Sequence, residues 1–499
     1  MGSFISKITP KDDQMSQPSY TDTSPIRQLI VLINQNASIL EAVCSQKSTP
    51  IPDLNAPFHP STETFRSIPV AAEAANVICA AALQLAAVLM PPQVTLYHVA
   101  GGHFKAAAVR ACLESNVTEI LREAGPKGLS VQGISAINGQ DPQKMGRFLR
   151  ILATNHIYRE IEPNVFTNNR ISSMMDTLKP TKDLFADPKH KHDGTPGLAA
   201  LVGHHLDEAF KAAAYSWETL SDPATRRSGD PKASPFARAI NSEETLWHFY
   251  EHPEQRDRQH RFDIGMQGIQ ALQPPNAILG AYDWETLPED SLVVDVGGGV
   301  GTSSLSLAAN FPRIKIVVQD LSGVIWDGKK VWAEKMPDAI QSGQVILEVH
   351  DFFEPQPRRG AAVYLLKQIL HDWSDEYCVK ILTQLRVAAA PKTKLVLMDS
   401  IMPFACHDPG TDKSGIPGAV PREAPAPLLA NFGAVNEMGY NADIDMFLLF
   451  NSQERTITHI DELLGSTGWK AVKVYRQEGG TARFFKGSRP SLSRAWCYE

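Results

Sequence analysis

From Ser291 onward, short runs of aliphatic and β-branched residues alternate with runs of helical periodicity. The apolar runs are Leu292 to Val296, Lys315 to Gln319, Val345 to Val349, Ala361 to Leu366 and Lys394 to Met398. This alternation predicts βαβ units and a parallel sheet. Near the end, Ala471 to Tyr475 and Ala482 to Phe485 flank Glu478-Gly479-Gly480 and predict a terminal antiparallel hairpin on that sheet. The expected class is therefore α/β, a doubly wound, mostly parallel sheet of seven strands.

The chain before this point has a different texture. Residues 1–25 are rich in Ser, Thr, Pro, Gln and Asp and predict a disordered tail. Residues 26–175 are mainly helical, and within them Asp141 can cap a helix that has Pro142 at its first position and Met145, Phe148, Leu149 and Leu152 along one face. His156 to Ile161 and Asn164 to Thr167 then predict a two-stranded wing around Glu162-Pro163, completing a winged-helix pattern. Residues 176–285 predict a helical connector, interrupted by a linker at Ser221 to Pro235, and residues 286–490 form the sheet domain. Inside that domain, 404–439 is dense in Pro, Gly and Ala and predicts a long surface insertion without chemistry of its own. The Ala-rich stretch Val70 to Met90 is long enough to span a bilayer, but it carries Glu73, Asn76 and Gln84, so a buried or subunit-interface helix is expected rather than membrane insertion.

Composition narrows the function classes. The 499 residues are 43% hydrophobic, enough for a large core and two or three domains. A net charge of -7 without long runs of one sign offers no general attraction for nucleic acid. Lys127, Lys144, Arg147, Arg150, Arg159 and Arg170 give the winged region a modest basic excess, which reads as a solvated face rather than a DNA-binding one. Six scattered cysteines show neither a disulfide framework nor a zinc spacing, so a reducing, cytoplasmic setting is expected. The opening Met1-Gly2-Ser3-Phe4-Ile5-Ser6 fits the loose acylation pattern and is read as chance; one acyl chain would in any case give only reversible attachment.

The candidate chemistry begins at the first strand of the sheet. Asp295 lies inside Leu292 to Val296, and Gly297-Gly298-Gly299-Val300-Gly301 leads into the helical Thr302 to Ala309. Glycines between strand and helix let backbone amides approach a ligand at the end of a parallel sheet. The third glycine of the dinucleotide fingerprint would stand at position 302, where the chain has Thr302, and no phosphate-cradling Gly-Lys-Ser/Thr follows. Asp320 ends the second strand nineteen residues after Gly301, where a carboxylate can accept from both ribose hydroxyls. Asp351-Phe352 ends the third strand and sets an acceptor and a flat ring where an adenine can be read. Singly, each carboxylate suits a cap or turn; together they describe a nucleoside site.

With these motifs the chain resembles the plant caffeate-type and fungal O-methyltransferases over roughly residues 100–490. Asp295-Val296-Gly297-Gly298-Gly299-Val300-Gly301 resembles the family's cofactor loop. Gln319-Asp320-Leu321 is similar to its ribose-binding turn and His350-Asp351-Phe352-Phe353 to its adenine-binding turn. The most specific match is Lys367-Gln368-Ile369-Leu370-His371-Asp372-Trp373-Ser374-Asp375, which resembles the segment bearing the catalytic histidine. The resemblance implies a class I methyltransferase domain binding S-adenosyl-L-methionine, His371 as base, Lys367 near the cofactor, and two acids that orient the base, Asp399 and Glu454. At position 399 the family usually has glutamate, so the shorter Asp399 is expected to reach the imidazole less well than Glu454. The resemblance further implies a homodimer formed through the N-terminal helices, with the winged helix serving the dimer and the substrate pocket instead of DNA.

The implied reaction needs no metal. A phenol with a pKa of about 10 is mostly protonated at neutral pH, and a neutral imidazole is a suitable acceptor for its proton. A carboxylate on the far ring nitrogen fixes the tautomer. The expected substrate is a small aromatic or polyketide-type metabolite, a guess that rests on the family alone. Asp372, Ser374 and Asp375 read as the start of a helix Glu376 to Ala390, and Asp443 and Asp445 as part of a substrate-pocket helix rather than a metal site. Two rivals stay open: a non-methylating enzyme on the same scaffold, of pericyclase type, against which intact His371 speaks, and a catalytically silent winged-helix binding protein, against which the acidic balance speaks.

Overall fold

The structure is a computed structural model that describes residues 24–272, 277–476, 480–482, 485–489 and 493–498. Residues 1–23, including Gly2 and all but the end of the expected tail, lie outside it, while Ser24 and Pro25 already belong to the first helix, Pro25–Lys47, as N-cap and first residue. That helix lies along the Ala-rich helix Pro69–Leu89. The second helix is long and apolar enough to cross a membrane, yet Val77, Ala80 and Ala81 are buried against Leu29, Leu428 and Phe432, and Ala71 and Ala75 against Cys44 and Phe65.

The winged unit is built around helix Pro142–Thr154, whose N-cap Asp141 accepts the Lys144 N–H at 2.8 Å. Its strands β1 (Leu129–Ser130), β2 (Arg159–Glu162) and β3 (Val165–Thr167) pair in the order β1-β3-β2. Met145, Leu149 and Leu152 join Ile120, Leu121, Ile134, Tyr158 and Phe166 in one core. A charged network ties this unit to the connector. Asp207 and Glu208, buried in the π-turn His205–Ala209, receive Arg110 from the winged unit and Arg261 from helix Arg256–Leu272, at 2.8 and 2.6 Å. Buried carboxylates are tolerable there because each is met by several guanidinium donors.

The main sheet contains β4 (Leu292–Val296), β5 (Lys315–Asp320), β6 (Val345–Val349), β7 (Val363–Lys367) and β8 (Lys394–Ser400), all parallel, in the order β6-β5-β4-β7-β8. Both faces are covered, which is why these strands read as continuous apolar runs. Alternate residues serve opposite cores: Val294, Val296, Leu366 and Leu397 pack with Ile381, Leu385 and Leu464, whereas Val293, Val318, Leu365 and Val396 pack with Leu307, Trp332 and Trp284. Each such side chain stabilises the fold by about 1.5–3 kcal/mol. The order steps outward from β4 to β6 and then returns to β7, so a crevice opens beyond the carboxyl ends of β4 and β7, where parallel sheets bind ligands.

Two expectations need correction. The strand beside β9 (Ala471–Arg476) is not Ala482 to Phe485: β10 (Gly480–Ala482) pairs with β11 (Phe485–Arg489) as a separate ladder, and β12 (Ser493–Tyr498) inserts antiparallel between β8 and β9, with Trp496 opposite both Leu397 and Val474. The edge of β8 needs a partner for its backbone groups, and the last segment of chain supplies it. Residues Glu478 and Gly479 of the expected turn lie outside the described residues. The insertion 404–439 is also more than a surface loop. Leu428 and Phe432 are buried against helix Pro69–Leu89, Gln84 donates to Pro427 O at 2.9 Å, and Arg422 pairs with Glu73 at 3.0 Å. On its other side Val474 N–H donates to Pro417 O at 2.8 Å. The segment therefore braces the N-terminal helices to the sheet domain. The expected linker is ordered too: Pro231 and Ser234 are buried, and Asn451 Nδ2 donates to Ser228 O at 2.8 Å.

Candidate active site

The glycine turn after β4 is held in left-handed backbone by Gly297, Gly299 and Gly301, at φ of +66°, +61° and +83°. A Cβ at Gly297 would lie 2.6 Å from Ile369 Cδ1, and one at Gly301 2.6 Å from Trp332 Nε1, so these two are glycine for packing as well as for φ. Gly299 differs, because a Cβ there meets nothing within 4 Å. The open space beside its backbone is where a ligand can approach. Gly299 N–H donates to Asp320 Oδ2 at 2.9 Å, and Leu321 N–H to Asp320 Oδ1 at 2.8 Å, so the carboxylate is already fixed at the end of β5. Burial pushes the Asp320 carboxyl up, against the pull of these two amides.

Asp295 takes a different place from the other acids. It is 2% exposed and accepts from Ser304 Oγ at 2.6 Å, fastening β4 to helix Thr302–Asn310 beneath the turn. Burial pushes its pKa up to about 6, with Ser304 and Lys367 pulling the other way. Lys367, at the end of β7, donates to Gln368 Oε1 at 2.9 Å; burial lowers its pKa, while the charges of Asp295 and Asp399 raise it. Asp351 is exposed and accepts the Phe353 N–H at 2.9 Å, which shapes the turn after β6. Phe352 is half-buried, with its ring 5.0 Å from Phe353 and 6.0 Å from Trp373, and Leu321 is 58% exposed. An open backbone at Gly299, a carboxylate beside it, an exposed aliphatic at Leu321 and an aromatic edge at Phe352 fit a nucleoside carrying a ribose diol and a flat base.

Across the crevice, β7 runs through Gln368, at φ +55°, into the short 3-10 turn Leu370–Asp372 that presents His371. The imidazole is largely enclosed. Its Nδ1 lies 2.9 Å from Glu454 Oε1 and its Nε2 3.5 Å from Asp372 Oδ1. An ionised carboxylate can only accept, so Glu454 requires the proton on Nδ1 and leaves Nε2 as the site where a proton comes or goes. Glu454 is itself placed by helix Glu437–Phe450, since Asp443 Oδ1 accepts the Glu454 N–H at 2.8 Å. Burial disfavours the imidazolium, but the carboxylates of Asp372, Glu454 and Asp399 outweigh it and push His371 up to about 10. Burial likewise pushes Asp372 and Asp399 up to about 6 against the attraction of His371.

The structure thus brings His371, Glu454 and Asp399 into one cluster, with unequal contacts. Asp399 Oδ1 is buried without a hydrogen-bond partner, and the shorter acid acts on the imidazole only through space. A buried carboxylate raised from its ordinary range is destabilising above that range and less so as pH falls through about 6, where it takes up its proton. Asp399→Asn is accordingly expected to raise the melting temperature at pH 7.5 by about 1–3 °C, an advantage that vanishes at pH 5. Scanning calorimetry at the two pH values measures it, and a melting temperature lowered at both would show that the carboxylate itself is needed.

Ser374 and Asp375 do open the helix, as expected, whereas Asp372 is misread as part of its start. The helix is Asp375–Ala388, its N-cap Ser374 makes no capping bond, and Asp372 belongs to the preceding turn with its carboxylate toward the imidazole. Asp375 accepts from Arg455 Nε at 2.9 Å and lies 2.8 Å from His459 Nε2. The sequence reading gives Asp372 only a helix-start role and Arg455 none, although each adjoins a residue that it singles out. Among the described residues there is no group of three or more His, Cys, Asp or Glu side chains that could hold a metal ion.

Fold and site together describe an α/β protein with an open glycine turn of the kind that suits a nucleoside-bearing ligand and, across the crevice, a buried histidine–carboxylate cluster. The family model for the O-methyltransferase domain matches residues 217–415. The chain is 51% identical over 465 residues to 4-O-methyltransferase 1 of Phanerochaete chrysosporium, covering 93% of this chain and 98% of that relative. Among solved structures, a pericyclic reaction enzyme superposes with a TM-score of 0.61 at 19% identity, covering 85% of this chain and 94% of the other. Human N-acetylserotonin methyltransferase in complex with S-adenosylmethionine does so with 0.53 at 19%, covering 82% and 98%. At those identities the likeness speaks to the fold, which is that of class I methyltransferases. The chain belongs to the O-methyltransferase family; it is an S-adenosylmethionine-dependent enzyme acting on a small molecule.

Proposed function

We propose that this enzyme methylates a phenolic hydroxyl of a small aromatic or polyketide-type metabolite, with His371 as general base. The observation that carries the reading is the 2.9 Å contact of His371 Nδ1 with Glu454, which leaves Nε2 as the proton acceptor. Bound S-adenosylmethionine supplies a methyl group already activated on a positively charged sulfur. The cofactor would be held by Asp320 at the ribose hydroxyls, by Leu321, Phe352 and Asp351 at the adenine, and by the backbone of Gly297, Gly299 and Gly301 along the remainder. Asp295 supports the turn from beneath, and Lys367 lies between Asp295 and Asp399 at the crevice. The proton of the acceptor hydroxyl would pass to His371 Nε2 as its oxygen takes the methyl group, the donor's carbon–sulfur bond breaking to leave the neutral thioether, and Glu454 would stabilise the imidazolium that results. Asp372 and Asp399 add negative charge around the same ring.

The test incubates the purified enzyme and labelled methyl donor with a panel of phenols and follows S-adenosylhomocysteine. Its accumulation with a methylated phenol supports the reading; turnover of a substrate without it would replace methyl transfer by rearrangement chemistry on the same scaffold.

A homodimer is part of this proposal. Leu96, Tyr97 and Val99 are 70%, 74% and 73% exposed, and Leu83, Val88, Leu89 and Phe104, nearby in sequence, are exposed as well, which suits burial against a second copy. Leu96→Glu combined with Tyr97→Glu is expected to halve the mass measured by light scattering; an unchanged mass would move the contact elsewhere. Cys44, Cys79, Cys112, Cys378 and Cys406 are free, which accords with a cytoplasmic setting.

A further inference from the structure

We infer that Arg455 is a positioning residue for the reaction: its guanidinium grips both ends of the turn that carries His371 and so sets the spacing between that imidazole and Glu454. The inference rests on the reading of His371 as base. Arg455 directly follows Glu454 and is 4% exposed. Its Nη1 donates to Leu370 O and its Nη2 to Trp373 O, both at 2.7 Å, which are the carbonyls on either side of His371-Asp372. Its Nε donates to Asp375 Oδ1 at 2.9 Å, and Asp375 is held in turn by His459 at 2.8 Å.

The main chain completes the frame. Arg455 O accepts the Met402 N–H at 3.0 Å, and Arg455 bridges Ile401 in parallel register, just beyond the end of β8 that bears Asp399. One residue thereby joins the three segments that supply His371, Glu454 and Asp399. The joint matters because these segments are far apart in sequence; Glu454 stands 83 residues from His371. The turn's other bonds are the His371–Glu454 contact itself, Asp372 N–H to Ile369 O at 3.1 Å, Trp373 N–H to Leu370 O at 3.3 Å and weak Cys378 Sγ bonds of 3.3 Å to the Leu370 and Trp373 carbonyls. The two carbonyls that Arg455 clasps therefore have no other short hydrogen bond among those to the turn. A planar guanidinium serves three acceptors in fixed directions at once, which an ammonium cannot match.

The experiment compares wild type, Arg455→Lys, Arg455→Ala and His371→Ala by kcat, KM for the acceptor, calorimetric affinity for S-adenosylmethionine, and the pH profile. For Arg455→Lys the expected result is a kcat lower by about 10- to 100-fold, with donor affinity and acceptor KM within about threefold of wild type. The acidic limb of the profile should move to lower pH, because a looser Glu454 supports the imidazolium less. Added guanidinium ion should restore part of the rate of Arg455→Ala but none of that of Arg455→Lys, whose ammonium fills the site. Should Arg455→Ala fail to fold, the lysine variant and its pH profile decide alone. A lysine variant with kcat within threefold of wild type would overturn the inference, as would parallel loss of donor affinity and rate, which marks a merely structural role. If His371→Ala keeps its rate, the reading of the base has failed; if it is inactive while Arg455→Lys is not, only the positioning role has.

Discussion

Replacing His371 with alanine is expected to lower methyl transfer by about 100-fold or more while S-adenosylmethionine still binds. The two effects separate because the imidazole touches Glu454 and Asp372, whereas the glycine turn and Asp320 are fastened to each other. The loss reflects proton transfer to a positioned acceptor in the transition state, which bulk water does not match, and it is read at about pH 8 to 9, where part of His371 is neutral. Alanine also removes the cation among three buried or partly buried acids and is expected to lower stability, so His371→Gln is the companion variant. Its amide N–H can still donate to Glu454, but it accepts no proton at neutral pH. Single-turnover transfer of labelled methyl, with calorimetry of donor binding, reads both variants. Rates equal to wild type would remove His371 from the mechanism.

What could be read from the chain follows the range of the interactions concerned. The glycine turn, Asp320 and the His371 segment are each set by a few consecutive residues at a strand end, and local composition marks them. Glu454 was reachable only through family resemblance, because nothing in the spacing between residues 371 and 454 tells that two loops converge. Asp372 reads as a helix start and Arg455 as nothing in particular for a related reason: a carboxylate near a helix start and an arginine in a loop have common local explanations, and only the fold shows the first beside an imidazole and the second clasping two carbonyls. Strand β12 was missed because Ser493 to Tyr498 has no strong alternation, and its place is dictated by the open edges of β8 and β9. Likewise Leu428 and Phe432 stand isolated in a Pro- and Ala-rich stretch, so their burial depends on helix Pro69–Leu89, more than three hundred residues earlier.

Glu454→Gln tests the electrostatic half of the mechanism, and its sign can be worked out. The neighbouring acids hold the His371 pKa at about 10 in the free enzyme, so the base must lose a proton before it can accept one and activity should rise with pH well above 6.5. Glutamine removes one of those charges and its charged hydrogen bond. The His371 pKa then falls, and the acidic limb of kcat/KM should shift to lower pH by about one unit or more. The plateau rate should drop by about 10- to 100-fold, because a weaker base accepts the proton and the imidazolium is less supported. Stability should follow the same sign. A histidine whose folded pKa exceeds its unfolded value of about 6.5 contributes stability that is complete below that pH and fades as pH climbs through about 10. The wild type should therefore lose more melting temperature between pH 6 and pH 9.5 than Glu454→Gln does. A limb that stays in place, with the two melting curves parallel across that range, would mean that the Glu454 carboxylate holds the ring in position without tuning its charge.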